Sequence, residues 1–272
     1  MSPMAEDALS GSEPPLLDTG HPHSARVMNY WLGGKDNYPA DRVMGDEVIA
    51  HSPEIVEAAR ADRAFLVRVG THLVREAGIR QFLDLGTGLP TASNTHEVVQ
   101  AAAPECRVVY VDNDPMVLAH ARALLVSTPE GGTTYVDSDL RDVDTVLRQA
   151  AGLLDFTQPI ALTILGTMLH IEDADAYPTV RRYTDALPSG SYLVLGDSTN
   201  TSDNIVASAE RWNASSPTPV HLRSPEQLGR FFDGLEIEEP GIVPVPLWRP
   251  EPYEVGAANA DIDAYCGLGR KP

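Results

Sequence analysis

Beyond residue 78, short apolar runs alternate with segments of helical spacing. The runs occupy residues 81–85, 108–111, 133–136, 160–165 and 192–195. They have no polar face, which is typical of strands buried on both sides in a parallel sheet covered by helices. The segments between them, at residues 97–103, 115–126, 143–151 and 174–187, read as crossover helices. The alternation predicts an α/β fold with a doubly wound, mostly parallel sheet over residues 79–272.

The remaining parts of the chain differ from this region in composition and in hydrophobic spacing. Residues 1–23 are rich in Ser, Pro, Gly and acidic residues, which predicts a flexible tail. Residues 24–78 have helical spacing and predict an N-terminal helical cap. Near the C-terminus, residues 235–237 and 265–268 predict antiparallel edge strands. The last helix of the cap carries an apolar stripe, expected to face a core, at Ile55, Ala58, Ala59, Phe65, Leu66, Val69, Leu73 and Val74.

Charge and cysteine content narrow the possible partners. The chain has 39 acidic and 20 basic residues and a formal net charge of -19, so it repels nucleic-acid phosphates and acidic membrane surfaces. Cys106 and Cys266 are far apart in apolar surroundings, which resembles neither a disulfide framework nor a metal site. The N-terminus has no pattern of a secretory signal. We therefore expect a cytoplasmic protein that acts on a small molecule without a metal; its oligomeric state does not follow from the sequence.

A glycine turn follows the first predicted strand, where residues 84–88 read Asp-Leu-Gly-Thr-Gly. Gly86 and Gly88 let the backbone pass tightly beneath a ligand, and the next helix would offer free N–H groups to a carboxylate or phosphate. The same turn closes many strand-to-helix loops that bind nothing. A dinucleotide site needs a third glycine where this chain has Thr91 after Pro90, which counts against NAD or FAD.

Carboxylates end the next two predicted strands. Asp112 can accept hydrogen bonds from both hydroxyls of a ribose, although Asn113 or Asp114 could serve here simply as a helix cap. Asp139 can hold an adenine amino group, and Leu140 can cover one face of the ring. Three successive strand ends thus carry the polar groups that an adenosyl amino acid requires.

Residues 84–88, 111–115 and 137–141 resemble the class I S-adenosylmethionine-dependent methyltransferases. The resemblance implies a seven-stranded sheet whose last strand is antiparallel, with N-terminal helices folded over the cofactor edge. A narrower resemblance, to one bacterial methyltransferase family with largely unassigned acceptors, lies in YWLGGKDN at residues 30–37, Leu-Trp-Arg-Pro at 247–250 and Gly-Leu-Gly-Arg-Lys at 267–271.

By position, the resemblance implies that S-adenosyl-L-methionine is the cofactor. Gly86 and Gly88 would approach its methionine part, Asp112 its ribose and Asp139 its adenine. Pro90 stands where many class I enzymes have glycine, which leaves the approach of the carboxylate open. The predicted cofactor-binding residues are Tyr30, Gly33, Lys35, Asp84, Gly86, Gly88, Asp112, Asn113, Asp139 and Leu140.

The polar insertion at residues 30–37 has two equally weighted interpretations. It is either a lid in which Lys35 or Arg26 pairs with the methionine carboxylate, or a capped helix turn whose Asp and Asn satisfy local backbone groups. Trp248 and Arg249 could line an acceptor pocket, but a Trp among prolines is more often packing.

Two residues at later strand ends are candidates for catalysis. Methyl transfer is an in-line displacement, so positioning supplies much of the rate and a base is needed only for a poorly ionised acceptor. His170 is the first candidate base, with a pocket wall or helix cap as its alternative. Asp197 could orient an amine or hydroxyl, or cap a helix.

The predicted function is transfer of a methyl group from S-adenosyl-L-methionine to an O, N or S atom of a small molecule. The alternative is a protein that binds S-adenosyl-L-methionine without turnover, as a sensor or scaffold, because the sequence has no strong catalytic constellation.

Overall fold

The computed structural model describes residues 18–91, 93–124, 126–250 and 261–272. Within these ranges the chain forms eight strands in one sheet. The strands are β1 (Gln81–Leu85), β2 (Arg107–Asp112), β3 (Gly132–Asp137), β4 (Ala161–Leu165), β5 (Tyr192–Ser198), β6 (Glu236–Ile237), β7 (Val243–Pro244) and β8 (Ala264–Arg270).

Nine α-helices accompany the strands in the described part of the chain. Three of them precede the sheet, as the helical spacing of residues 24–78 predicts. The helices are α1 (Ser24–Trp31), α2 (Pro39–His51), α3 (Ile55–Arg75), α4 (Thr95–Ala102), α5 (Pro115–Leu124), α6 (Val143–Ala150), α7 (Asp173–Ala186), α8 (Asp203–Ser215) and α9 (Pro225–Gly229).

The sheet order is β3-β2-β1-β4-β5-β8-β6, and the two-residue β7 also pairs with β8. Strands β1 to β5 are parallel, with crossover helices between them, and β8 is antiparallel to β5. The predicted doubly wound, mostly parallel fold is confirmed. The prediction that residues 265–268 form an edge strand was wrong, because β8 lies between β5 and the short β6.

Strand β5 runs three residues past the predicted end at residue 195. It does so because it pairs with the antiparallel β8 along its whole length, and Asp197 lies opposite Tyr265 in that register. Asp197 is therefore held inside the sheet rather than in the loop that follows.

Alternate strand residues pack into two separate apolar layers, as expected for strands covered on both faces. Leu83 and Leu85 of β1 pack with α6 and α7, whereas Phe82 packs on the other face with Phe65 of α3. Helix α3 therefore belongs to the core of the sheet as well as to the N-terminal helices.

The N-terminal helices are held to α8 by a third apolar cluster. Its buried members are Val27, Met44, Val48, Ile55, Ile205 and Trp212. The hydroxyls of Ser52 and Ser208 are 2.9 Å apart across the same contact. The division of the chain at residues 23 and 78 remains a prediction, and residues 1–17 of the predicted tail lie outside the described part of the chain.

Among the described residues, no helix combines the length and apolarity that a membrane span requires. Nor do three or more His, Cys, Asp or Glu side chains gather there into a possible metal site. Cys106 and Cys266 are both buried free thiols. The cytoplasmic location remains a prediction.

Candidate functional site

A cavity of about 520 Å³ lies between the carboxyl ends of β1 to β5 and the N-terminal helices. We call its two parts the polar half and the apolar half. The polar half is formed by Gly86, Thr87, Gly88, Asp112, Asn113, Ser138, Asp139, Leu140 and Arg141. The apolar half is formed by Val27, Met28, Trp31, Val48, Ile55, Ala58, Ala59, Ile205, Ala209, Trp212, Val220 and Leu222.

The glycine turn forms the floor of the polar half. Gly86 and Gly88 have φ angles of 69° and 66°, in the left-handed region that side chains disfavour. The Gly86 N–H donates to Val111 O at 2.8 Å, which ties the turn to β2. A Cβ atom on Gly86 would lie 2.3 Å from the Thr167 side chain, whereas one on Gly88 would meet its nearest atom, in Ala25, at 3.8 Å.

Gly86→Ala is expected to destabilise the protein more than Gly88→Ala. Both substitutions place an L side chain in the left-handed region, at a cost of about 1–2 kcal/mol. Only the first also forces a contact with Thr167, which adds roughly 1–3 kcal/mol by overpacking. Denaturant unfolding of the two variants measures the difference, and equal loss of stability in both would contradict the proposed close approach.

Asp112 lies at the tip of β2 and faces the polar half. Its Oδ2 accepts the Gly88 N–H at 2.8 Å, and its Oδ1 accepts the Asp114 N–H at 3.0 Å. Burial raises the pKa of Asp112, while these two hydrogen bonds oppose that rise. Asp114 accepts the Met116 N–H at 2.8 Å and so caps the next helix. Asp112 is therefore not needed as a helix cap. Each Asp112 oxygen retains a lone pair for a ligand hydroxyl.

Asp139, Leu140 and Asn113 also line the polar half. Asp139 is held in place by Arg141, whose Nη2 donates to Oδ2 at 2.6 Å and whose Nε donates to Oδ1 at 3.0 Å. This pair lowers the pKa of Asp139, so the carboxylate stays charged. The sequence prediction did not include Arg141.

Asp84 does not line the cavity, although the sequence placed it among the cofactor-binding residues. It is buried behind the glycine turn, where its Oδ2 accepts the Thr95 hydroxyl at 2.6 Å. Burial raises the pKa of Asp84 to about 6. The expected free N–H groups of the following helix are also committed, since Asn94 and Glu97 form a capping box and the His96 N–H donates to Tyr110 Oη.

Tyr30, Gly33 and Lys35 likewise lie outside the cavity lining. The Tyr30 hydroxyl donates to Asp46 at 2.7 Å, and Lys35 is exposed. Asn29 Oδ1 accepts the Asp36 N–H at 3.0 Å and fixes the turn. The structure therefore favours the capped helix turn over the lid.

Arg26 does not face the cavity either. It is buried and bonds to Asp41 and to the carbonyl oxygens of Asp18 and His21. Trp248 is fully buried against Phe65, with ring centroids 5.2 Å apart, and is packing rather than an acceptor wall.

His170 lines the cavity near Trp212, as a pocket wall would. Its Nδ1 lies 3.2 Å from Pro219 O, and because a carbonyl only accepts, Nδ1 carries the proton and Nε2 is an acceptor. Burial lowers the pKa of His170 to about 4, which keeps the ring neutral near pH 7.

Asp197 is buried behind the cavity rather than on its surface. Neither carboxylate oxygen has a hydrogen-bond partner of good geometry among the described residues. Burial raises the pKa of Asp197 to about 8, and the charge of Arg223 and the nearby amides of Thr167 and Leu169 only partly oppose that rise.

Sequence reasoning also missed Asp62 and Arg63 of α3, which line the cavity. Arg63 lies beside the glycine turn, donates to Ser93 O at 2.5 Å and is attracted by Asp84. Asp62 falls on the apolar stripe of α3, one turn after Ala58 and Ala59. A charged residue within that stripe was the signal that could have revealed the site.

The sequence profile of one family, described as S-adenosyl methyltransferase, matches residues 10–272. A DUF574 family protein from Streptomyces avermitilis MA-4680 is 44% identical, with a TM-score of 0.90 over 94% of this chain and 99% of that one. A putative methyltransferase from Thermobifida fusca YX is 40% identical, with a TM-score of 0.87 over 95% and 98%. No protein with a curated description matches the sequence.

Proposed function

This chain belongs to the S-adenosyl methyltransferase family, and we propose that it methylates a small molecule bound in the apolar half of its cavity. Family membership confirms the predicted methyltransferase class and its cofactor, S-adenosyl-L-methionine. The observation that carries the proposal is the continuity of one cavity, in which a polar edge at the strand tips opens into an apolar chamber. Its volume of about 520 Å³ is within the usual range for small-molecule sites. The narrower resemblance through residues 30–37 remains a prediction.

The polar half fits the cofactor in the chemistry of its donors and acceptors. Asp112 would accept the ribose hydroxyls, with Asn113 beside it. Asp139, fixed by Arg141, would accept from the adenine amino group, and Leu140 would cover the ring. Gly86 and Gly88 would leave room for the methionine part, and a side chain on Gly86 would collide with Thr167, which also lines the cavity. When bound there, the cofactor supplies an electrophilic methyl group on a positively charged sulfur.

We assign the methionine carboxylate to Arg63 rather than to Lys35 or Arg26. Arg63 lines the cavity beside the glycine turn, whereas the other two cations lie outside the lining. A guanidinium can bind a carboxylate through two parallel hydrogen bonds, which orients as well as attracts it. Asp84 lies just behind the turn, and its negative charge favours the charged form of the Arg63 guanidinium.

The apolar half would hold the acceptor and exclude water from the methyl group. Displacement at a methyl carbon depends on alignment of the two reacting atoms, so a rigid wall contributes directly to the rate. His170 would accept a hydrogen bond at Nε2 and position the acceptor. Its lowered pKa makes it a weak proton acceptor near pH 7.

A turnover assay separates this proposal from a sensor or scaffold without activity. The purified protein is incubated with S-adenosyl-L-methionine and a metabolite extract, and S-adenosylhomocysteine is measured by mass spectrometry. We expect product formation that depends on the extract and disappears with heat-denatured protein. Binding of S-adenosyl-L-methionine by calorimetry without any product over a range of extracts would favour the sensor.

A further inference from the structure

Asp62 lies where the two halves of the cavity meet. Helix α3 lines the apolar half with Ile55, Ala58 and Ala59. Four residues after Ala59, Arg63 reaches Ser93 in the loop that follows the glycine turn. Asp62 is on the same cavity-facing side of the helix. This junction is where a methyl group bound to the polar half would meet an acceptor in the apolar half.

The Asp62 carboxylate is a charged group in an apolar wall. Among the described residues no hydrogen bond to it forms, and the charge of the adjacent Arg63 only partly offsets its burial. Arg63 itself is directed toward Ser93 and Asp84. Asp62 is partly exposed to the cavity, and a carboxylate in an apolar wall loses part of its hydration, so the site favours a ligand that supplies a hydrogen-bond donor or a cation.

Asp197 adds a second acidic group behind the wall. It is 4% exposed and close enough to Asp62 for their charges to repel. Arg223 partly offsets the effect of burial on Asp197, and it also donates to Asp173 and to the carbonyl oxygens of Met168 and Ile171. Because its pKa is raised to about 8, Asp197 is mostly protonated near pH 7, so Asp62 supplies the negative charge that attracts a cation to this end of the cavity.

The cations that line the cavity do not offset this charge. Besides Arg63, the other Lys or Arg in the described lining is Arg141, which binds Asp139 in the polar half. The side chains that form the apolar half, such as Trp31 and Trp212, are uncharged. An anionic acceptor would meet repulsion from Asp62, whereas an ammonium group on an apolar body would meet complementary surroundings.

We propose that the acceptor is an amine carried on an apolar body, and that Asp62 binds its ammonium group and takes up its proton. This proposal rests on the proposed function and deepens it by choosing nitrogen among the possible acceptor atoms. Asp62 is then a catalytic residue.

The transfer balances in two steps. The ammonium nitrogen first gives one proton to the Asp62 carboxylate, which leaves a neutral amine and a carboxylic acid. The amine nitrogen then bonds to the methyl carbon as the carbon–sulfur bond breaks, and the electron pair of that bond stays on sulfur. The methylated amine leaves as an ammonium ion, and Asp62 returns its proton to water.

The acid–base properties of the wall support this assignment. Burial raises the pKa of Asp62 to about 7, which suits proton uptake near neutral pH. His170, with its pKa lowered to about 4, is less well matched to that step.

Fragment binding tests the proposal without any turnover. The probes are 2-phenylethylamine, 2-phenylethanol and phenylacetate, each titrated by ligand-observed NMR against the protein with and without S-adenosylhomocysteine. We expect the amine to bind about tenfold or more tighter than the alcohol, and phenylacetate to bind most weakly. Asp62→Asn should remove the preference for the amine, while Glu57→Gln, an equal charge change on the exposed side of α3, should retain it.

Equal affinity of the amine and the alcohol, tighter binding of phenylacetate, or no binding of the amine would overturn the proposal. The ranking on the unaltered protein decides even if Asp62→Asn fails to fold. If the unaltered protein binds S-adenosyl-L-methionine and forms extract-dependent product but does not prefer the amine, only this inference is rejected. Preference for amines in a protein that forms no product would reject the proposed function and the catalytic role of Asp62, and would support only amine binding at Asp62.

Discussion

Asp112→Ala is expected to weaken S-adenosyl-L-methionine binding by about 10- to 100-fold while the sheet remains folded. The carboxylate has two functions at the tip of β2. It would accept the ribose hydroxyls, and it also holds the Gly88 and Asp114 N–H groups. Removing it therefore takes away charged hydrogen bonds to the ligand and loosens the turn that receives the methionine part.

Isothermal titration calorimetry measures this effect, with circular dichroism as the check on folding. Asp137→Ala is the matched control, because Asp137 lies opposite Asp112 in the β2–β3 register but is exposed and outside the cavity lining. We expect the control to bind with nearly unaltered affinity. Unchanged affinity in Asp112→Ala, or an equal loss in both variants, would remove the ribose assignment.

Arg26→Met is expected to destabilise the protein by about 3–5 kcal/mol, because it leaves a buried carboxylate without its cation. Arg26 and Asp41 are 3% and 0% exposed, and Arg26 Nε lies 3.0 Å from Asp41 Oδ2. Asp41 also accepts the N–H groups of His23 and Tyr38, so it joins the start of α1 to the start of α2. Methionine preserves the bulk of the side chain and isolates the loss of charge.

Urea unfolding monitored by tryptophan fluorescence measures the loss of stability. Arg211→Met is the control, since Arg211 pairs with Glu47 between α8 and α2 on the protein surface, where water screens the charges. The control should change the unfolding midpoint far less. Similar midpoints for the two variants would show that the buried pair does not hold the N-terminal helices in place.

The central sheet could be predicted closely because its signal is local. Runs such as residues 108–111 are apolar on both faces, and a strand with that pattern must be covered by helices on both sides. The antiparallel direction of β8 was anticipated, but its place inside the sheet was not. That place depends on pairing with β5 and with the two-residue β6 and β7, whose sequences are too short to give a period.

The polar half of the cavity was predicted in part for a related reason. Carboxyl ends of parallel strands meet at one edge, so Gly86, Asp112 and Asp139 could be placed together from sequence order alone. Tyr30, Gly33 and Lys35 could not be placed in this way, since the path of a glycine-broken turn depends on contacts such as Asn29 with Asp36.

The sequence by itself determined the doubly wound sheet and a row of polar strand ends suited to an adenosyl ligand, because both follow from periodicity along the chain. Only the tertiary structure decided that Asp84 lies behind the glycine turn, that Asp62 and Arg63 face the cavity and that Asp197 is buried in a strand. Those outcomes depend on how α3 and β8 pack against the sheet. The residue spacing within one segment does not specify its contacts with segments that are distant in the sequence.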